Sequence, residues 1–146
     1  MLAGAARPLT YIATAELLDD EMRARIAEHR AARDGAGWHT VEAPIDLADA
    51  LQTSNPALVD CLTLWLSNLL LGKYDLEAAA DALEAALGRR EAPTVLVANE
   101  VGLGIVPDNA LARRFRDAAG RLNQRLAARP DTSVVFLVAG LPQRLK

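Results

Sequence analysis

Residues Val95 to Ala127 read VLVANEVGLGIVPDNALARRFRDAAGRLNQRLA, and this stretch decides the fold class. Val95, Leu96 and Val97 make the short apolar run of a strand covered on both faces, and Asn99 and Glu100 set an amide and a carboxylate where that strand would end. Ligands of open α/β sheets gather at that edge. Gly102 and Gly104 let the chain turn, Pro107 stiffens the approach, and Asp108 is placed to cap a helix. The apolar positions of that helix, Leu111, Phe115, Ala118/Ala119, Leu122 and Leu126, fall at helical spacing throughout.

Working outward, apolar runs alternate with helical patterns. Strands are expected at Leu9 to Thr14, His39 to Ala43, Ala57 to Leu62, Thr94 to Asn99 and Ser133 to Ala139. Helices are expected at Asp20 to Arg33, Leu47 to Gln52, Leu64 to Leu71, Leu76 to Gly88 and from Asp108 onward. That order argues for an α/β fold, a mainly parallel sheet with helices on both faces. The whole chain, 1–146, is read as a single domain.

Composition narrows the function. The chain is 51% hydrophobic and 24% charged, the balance of a globular protein, and its net charge of −3 gives no general attraction for nucleic acid or anionic membrane. Five arginines crowd the last helix (Arg113, Arg114, Arg116, Arg121 and Arg125), but without stacking aromatics they read as a solvated or subunit-facing surface. The longest apolar run, Cys61 to Leu71, is interrupted by Thr63, Ser67 and Asn68 and falls short of the roughly 20 residues that span a bilayer. The N-terminus lacks the pattern of a secretory signal. The single cysteine, Cys61, reads as a packed thiol in a reducing cytosol, so a cytoplasmic location is expected.

Several residues could carry chemistry. Met22, Ile26 and His29 share one helix face, with Arg25, Arg30 and Arg33 nearby. His29 is either a packing histidine or a neutral imidazole able to attack phosphorus among guanidinium groups that neutralise a triphosphate. Asp60 closes the run Ala57-Leu58-Val59, the position from which a strand-end carboxylate holds Mg²⁺ on phosphates. Thr14 sits at a strand end between Ala13 and Ala15, whose small side chains would let a ligand approach the backbone. Glu42 is a nucleotide contact or an ordinary surface carboxylate. Glu100 is a possible base or metal contact, and equally a glutamate bonded to its own turn. Gly102-Leu103-Gly104 is not a dinucleotide fingerprint, because Pro107 takes the third glycine's place.

The string Asn99-Glu100-Val101-Gly102-x-Gly104-Ile105-Val106-Pro107, continued by Gly120-x-x-Asn123-Gln124-x-Leu126, resembles the adenosylcobinamide kinase/adenosylcobinamide-phosphate guanylyltransferase family of cobalamin assembly. The resemblance extends through Tyr11-Ile12-Ala13-Thr14, Asp20-Glu21-Met22, Arg25-Ile26-x-x-His29, Trp38-x-Thr40-Val41-Glu42 and Asp60-Cys61-Leu62-Thr63 to Asn68, nearly the whole chain. It implies a P-loop NTPase fold of the RecA-like type. It implies that His29 accepts GMP from GTP, that Ala13, Thr14, Ala15, Arg30, Ala31, Ala32, Arg33, Glu42 and Asp60 contact nucleotide, and that Asp60 meets Mg²⁺. GTP or ATP, adenosylcobinamide and its phosphate are the implied substrates, and a homo-oligomer, a trimer in the family, is the implied assembly. One departure is large. The family opens with a strand and a glycine-rich loop ending Gly-Lys-Ser, whereas residues 1–146 contain no Gly-x-x-x-x-Gly-Lys-Ser/Thr. The chain is therefore expected to be truncated relative to the family, with a gap or exposed edge in its sheet and the kinase step lost. A catalytically inactive fragment that keeps the fold and corrinoid or subunit binding is the alternative.

Overall fold

The computed structural model describes Leu2, residues 4–5, residues 8–16 and residues 36–146. The chain divides into two compact units, Met1–Asn99 and Glu100–Lys146.

Four strands build the sheet of the first unit: β1 (Leu9–Ala13), β2 (Trp38–Glu42), β3 (Ala57–Asp60) and β4 (Thr94–Val97), in the order β2-β1-β3-β4 and parallel throughout. Helices flank it: the short α1 (Leu47–Ala50), α2 (Leu62–Leu71) and α3 (Leu76–Gly88). The parallel α/β architecture expected from the alternation is thus the observed one. Of the expected gap or exposed edge, no gap is found among the described strands: β3 hydrogen-bonds β4 directly, and β4 is the last strand in the order. The helix expected at Asp20 to Arg33 lies outside the described residues.

Side-chain alternation explains the layering. Thr10, Ile12, Ala57 and Val59 point to one face of the sheet and are all but completely buried, and Leu47, Leu51, Trp65, Leu69 and Leu83 of the helical segments are equally buried. Asp75 starts α3 by accepting hydrogen bonds from the Glu77 and Ala78 amides at 3.0 and 3.1 Å.

At the end of the sheet where β1 and β3 begin, Arg90 ties three segments together. Its guanidinium donates to the carbonyls of Leu51 (2.7 Å), Thr53 (2.5 Å) and Asn55 (2.7 Å) and to the Thr94 hydroxyl (2.7 Å). Partial burial holds its pKa below the ordinary arginine value. No carboxylate takes part in these bonds, so the planar fork of donors is what matches the carbonyls, and lysine could not reproduce it.

The second unit holds α4 (Ala110–Ala128) and a hairpin of β5 (Val135–Val138) with β6 (Leu141–Arg144). Ala118, Ala119, Leu122 and Leu126 are the buried stripe of α4, as the periodicity required, whereas Leu111 in its first turn is 53% exposed. The N-cap is Asn109, not Asp108: its side chain accepts from the Ala112 amide at 2.7 Å. The carbonyl of Asp108 instead accepts from Arg113 at 2.7 Å. The terminal strand does not join the parallel sheet. It doubles back through Ala139 and Gly140, both at positive φ (52° and 77°), the backbone of a two-residue hairpin turn. Lys146 closes this unit by donating from Nζ to the carbonyls of Ala127 and Arg129 at the helix C-terminus.

Replacing Arg90 by Ala is expected to destabilise the protein by about 2–4 kcal/mol, since several carbonyls lose a charged donor. Arg90→Lys should recover only part of that loss in urea unfolding, and full recovery by lysine would contradict the bonding described.

Candidate functional site

Strand register gathers the candidate residues of the first unit. Ala13 is aligned with Glu42 of β2 on one side and Asp60 of β3 on the other, and Asp60 with Val97 of β4. In-register residues of parallel neighbours share a face, so Glu42, Ala13 and Asp60 form one row along the carboxyl edge. Two interstrand spacings separate the carboxylate-bearing strands, about 9–10 Å. Only the methyl of Ala13 stands between them.

This row lies at a topological switch point. From β1 the chain passes first to β2 on one side, then returns to β3 on the other. Open α/β sheets bind ligands in the crevice at the carboxyl ends of the strands that flank such a point, here β1 and β3.

Thr14 holds the floor of that crevice. It is fully buried; its hydroxyl donates to the Cys61 carbonyl at 2.7 Å and accepts from the Cys61 amide at 2.8 Å. Its own amide donates to the Asp60 carbonyl at 3.1 Å, and its carbonyl accepts from Asn68 Nδ2 at 2.8 Å. Every polar group of Thr14 is thus engaged within the protein. Cys61 is buried, as a packed thiol should be, and the Asp60–Cys61 peptide is cis.

Helix α2 braces the neighbouring loops. Asn68 Nδ2 also donates to the Pro44 carbonyl at 3.1 Å, and Trp65 Nε1 donates to the Ile45 carbonyl at 2.7 Å. The amide of Asn68 thereby joins the segments that follow β1 and β2. Thr63, at the start of the same helix, accepts from the Asn99 amide at 2.7 Å and fixes the end of β4.

Asp60 receives the phenol of Tyr11, whose hydroxyl donates to Oδ2 at 2.6 Å. Among the described residues no group of three or more His, Cys, Asp or Glu could cage a metal ion. A lone strand-end carboxylate nevertheless suits Mg²⁺, which keeps most of its waters and takes one or two carboxylates together with substrate phosphates.

The structure thus brings together Ala13, Thr14, Glu42 and Asp60, with Ala15 following Thr14 in the chain. His29, Arg30, Ala31, Ala32 and Arg33 lie outside the described residues. Glu100, in the second unit, accepts from the Gly102 amide at 2.5 Å, which is the turn-bonding arrangement. A side chain at Gly102 would begin 2.8 Å from that carboxylate oxygen, so glycine allows the close approach. Tyr11, Trp65 and Asn68 lie within the stretches that carry the resemblance, but sequence reasoning assigned none of them a role. A signal existed for the last two: at i and i+3 on an otherwise apolar helix, an amide and an indole N–H need buried partners.

Residues 1–145 match the family described as cobinamide kinase / cobinamide phosphate guanyltransferase. The chain is 49% identical over 144 residues to the bifunctional adenosylcobalamin biosynthesis protein CobP of Pseudomonas aeruginosa, covering 94% of this chain and 82% of that protein. It is 43% identical over 165 residues to the bifunctional adenosylcobalamin biosynthesis protein CobU of Salmonella typhimurium, covering 99% and 90%. The Escherichia coli protein of the same description is 40% identical over 164 residues, again covering 99% and 90%.

Thr14→Val should cost about 2–4 kcal/mol by stranding the Cys61 amide and carbonyl, while Thr14→Ser should fold nearly as well as the parent. Thermal unfolding of the two variants checks this, and a loss in Thr14→Ser with Thr14→Val unchanged would show that the methyl, not the hydroxyl, matters.

Proposed function

Since the chain belongs to the cobinamide kinase / cobinamide phosphate guanyltransferase family, and so to a family of enzymes, we propose that it passes GMP from GTP to adenosylcobinamide phosphate by way of His29. The observation that carries this reading is the row Glu42–Ala13–Asp60 at the switch point, a carboxyl-edge crevice with two carboxylates and a small residue between them.

In this reading the imidazole of His29 attacks the α-phosphorus of GTP, forming a nitrogen–phosphorus bond as pyrophosphate leaves. A phosphate oxygen of adenosylcobinamide phosphate then attacks the same phosphorus, releasing the imidazole and giving adenosylcobinamide-GDP. Arg30 and Arg33, with Ala31 and Ala32 between them, bring positive charge to the triphosphate. Ala13 and Ala15 leave room for nucleotide beside the buried Thr14, and Glu42 accepts hydrogen bonds from guanine or ribose. Asp60 would hold Mg²⁺, which supplies charge neutralisation on the phosphates when bound. Glu100 orders its own turn rather than serving as a base, in keeping with its bond to Gly102.

Residues 1–146 contain no glycine-rich loop ending in Gly-Lys-Ser/Thr, so this stretch by itself lacks the N–H cradle and lysine on which transfer of a γ-phosphate depends. Phosphorylation of adenosylcobinamide by ATP or GTP is accordingly weak or lost in it. The same observation favours a second reading, a folded but inactive fragment that retains corrinoid or subunit binding. A homo-oligomer, a trimer as in the family, is supported by Leu103 and Ile105, which are 80% and 97% exposed. No described helix is long and apolar enough to cross a membrane, and we place the protein in the cytoplasm.

GTP labelled at the α-phosphate should leave acid-labile label on the protein, and His29→Ala should abolish it with the fold intact by circular dichroism. No label on the folded parent chain would support the inactive fragment instead.

A further inference from the structure

Tyr11 is the side chain at this edge that the proposed chemistry does not yet use. It stands two residues before Ala13 and opposite Leu58, hence on the sheet face that carries Asp60. The residue is only 7% exposed, and its ring meets the edge of Trp38 at a centroid distance of 6.2 Å with the planes at 87°. Phenylalanine would fill this space equally well. What the hydroxyl adds is the 2.6 Å bond to Asp60 Oδ2.

A strand-end carboxylate turns about two side-chain torsions, and Mg²⁺ tolerates little such freedom, since it demands near-ideal octahedral geometry at about 2.0–2.1 Å. A hydrogen bond to one oxygen restricts the plane of the carboxylate and leaves the other oxygen to take a ligand. Outer hydrogen bonds of this kind set ligand orientation, and their loss lowers metal affinity by about 10–100-fold. The Tyr11 hydroxyl is well placed to orient the carboxylate in this way, because its side chain is buried, braced by an aromatic neighbour and carried on the central strand β1.

We propose that Tyr11 is a positioning residue that orients Asp60 toward a Mg²⁺-bound nucleoside triphosphate. The proposal rests on the reading of Asp60 given above, and the two are separable by experiment. Binding of a fluorescent N-methylanthraniloyl GTP to the full 146-residue chain is measured while Mg²⁺ is raised from zero, for the parent, Tyr11→Phe, Asp60→Asn, the double variant and the packing control Trp38→Phe.

Tyr11→Phe should raise the half-saturating Mg²⁺ concentration by about tenfold. Binding in EDTA should not change, and the further effect of Tyr11→Phe should vanish in the Asp60→Asn background, because a residue that acts through Asp60 has nothing left to orient. Trp38→Phe should titrate like the parent. Parental Mg²⁺ dependence in Tyr11→Phe, beside a clear shift in Asp60→Asn, overturns the role of Tyr11 and leaves Asp60 standing. An equal shift in Trp38→Phe, or an undiminished effect in the double variant, assigns the effect to packing and overturns it as well. Mg²⁺-independent binding by the parent, or no shift in Asp60→Asn, overturns the Asp60 reading and the inference together.

Discussion

The hydroxyl of Thr14, donating to the carbonyl of Cys61 and accepting from its amide, is the interaction on which the candidate site depends. Thr14 and Cys61 lie one residue beyond the last ladder pair, Ala13 and Asp60, so some further bond must fix these strand ends. One buried hydroxyl does so here, with the Thr14 amide adding a third bond, to Asp60. In a fully buried position each of these groups would be costly to leave unpaired, so the link holds the two ends in one geometry.

From that link the rest of the edge follows. Asn68 uses the remaining carbonyl of Thr14 to bring in the loop after β2, and Thr63 brings in the end of β4. Helix α2 is thereby both a core element, through Leu62, Leu66 and Leu69, and a bracket for three strand ends. The opposite end of the sheet is held differently, by the single guanidinium of Arg90 across three carbonyls. Both ends of the sheet are thus tied by side chains, and the row Glu42–Ala13–Asp60 lies along the carboxyl end.

Much of this was legible in the sequence because burial writes itself into periodicity. Ala57-Leu58-Val59 and Val95-Leu96-Val97 announced strands of a parallel sheet, and the spacing of Ala118, Leu122 and Leu126 announced the long helix, since each pattern is a direct record of which face is covered. What periodicity does not record is pairing. The final apolar run could have been a fifth parallel strand. It is instead half of a hairpin, because Ala139-Gly140 adopts a positive-φ turn for which the usual Asn-Gly signal was absent, and because Pro142 gave its partner strand little strand character. The helix cap was misplaced by one residue for a related reason: Asp108 and Asn109 are both competent caps, and only the backbone path selects between them.

The site divides in the same way. Asp60, Ala13 and Glu42 could be named from their positions at strand ends, but their alignment in one row required the register of four strands. Thr14 was expected to contact nucleotide; the structure buries it fully, with its hydroxyl bonded to Cys61. The central claim, that nucleotide occupies the crevice above it, is tested most directly by backbone amide NMR of the chain titrated with GTP and Mg²⁺. Chemical-shift changes should concentrate at Ala15, Glu42, Ala43, Asp60 and Cys61 while the β5–β6 amides stay still. Changes confined to other surfaces, with this row unmoved, would contradict it.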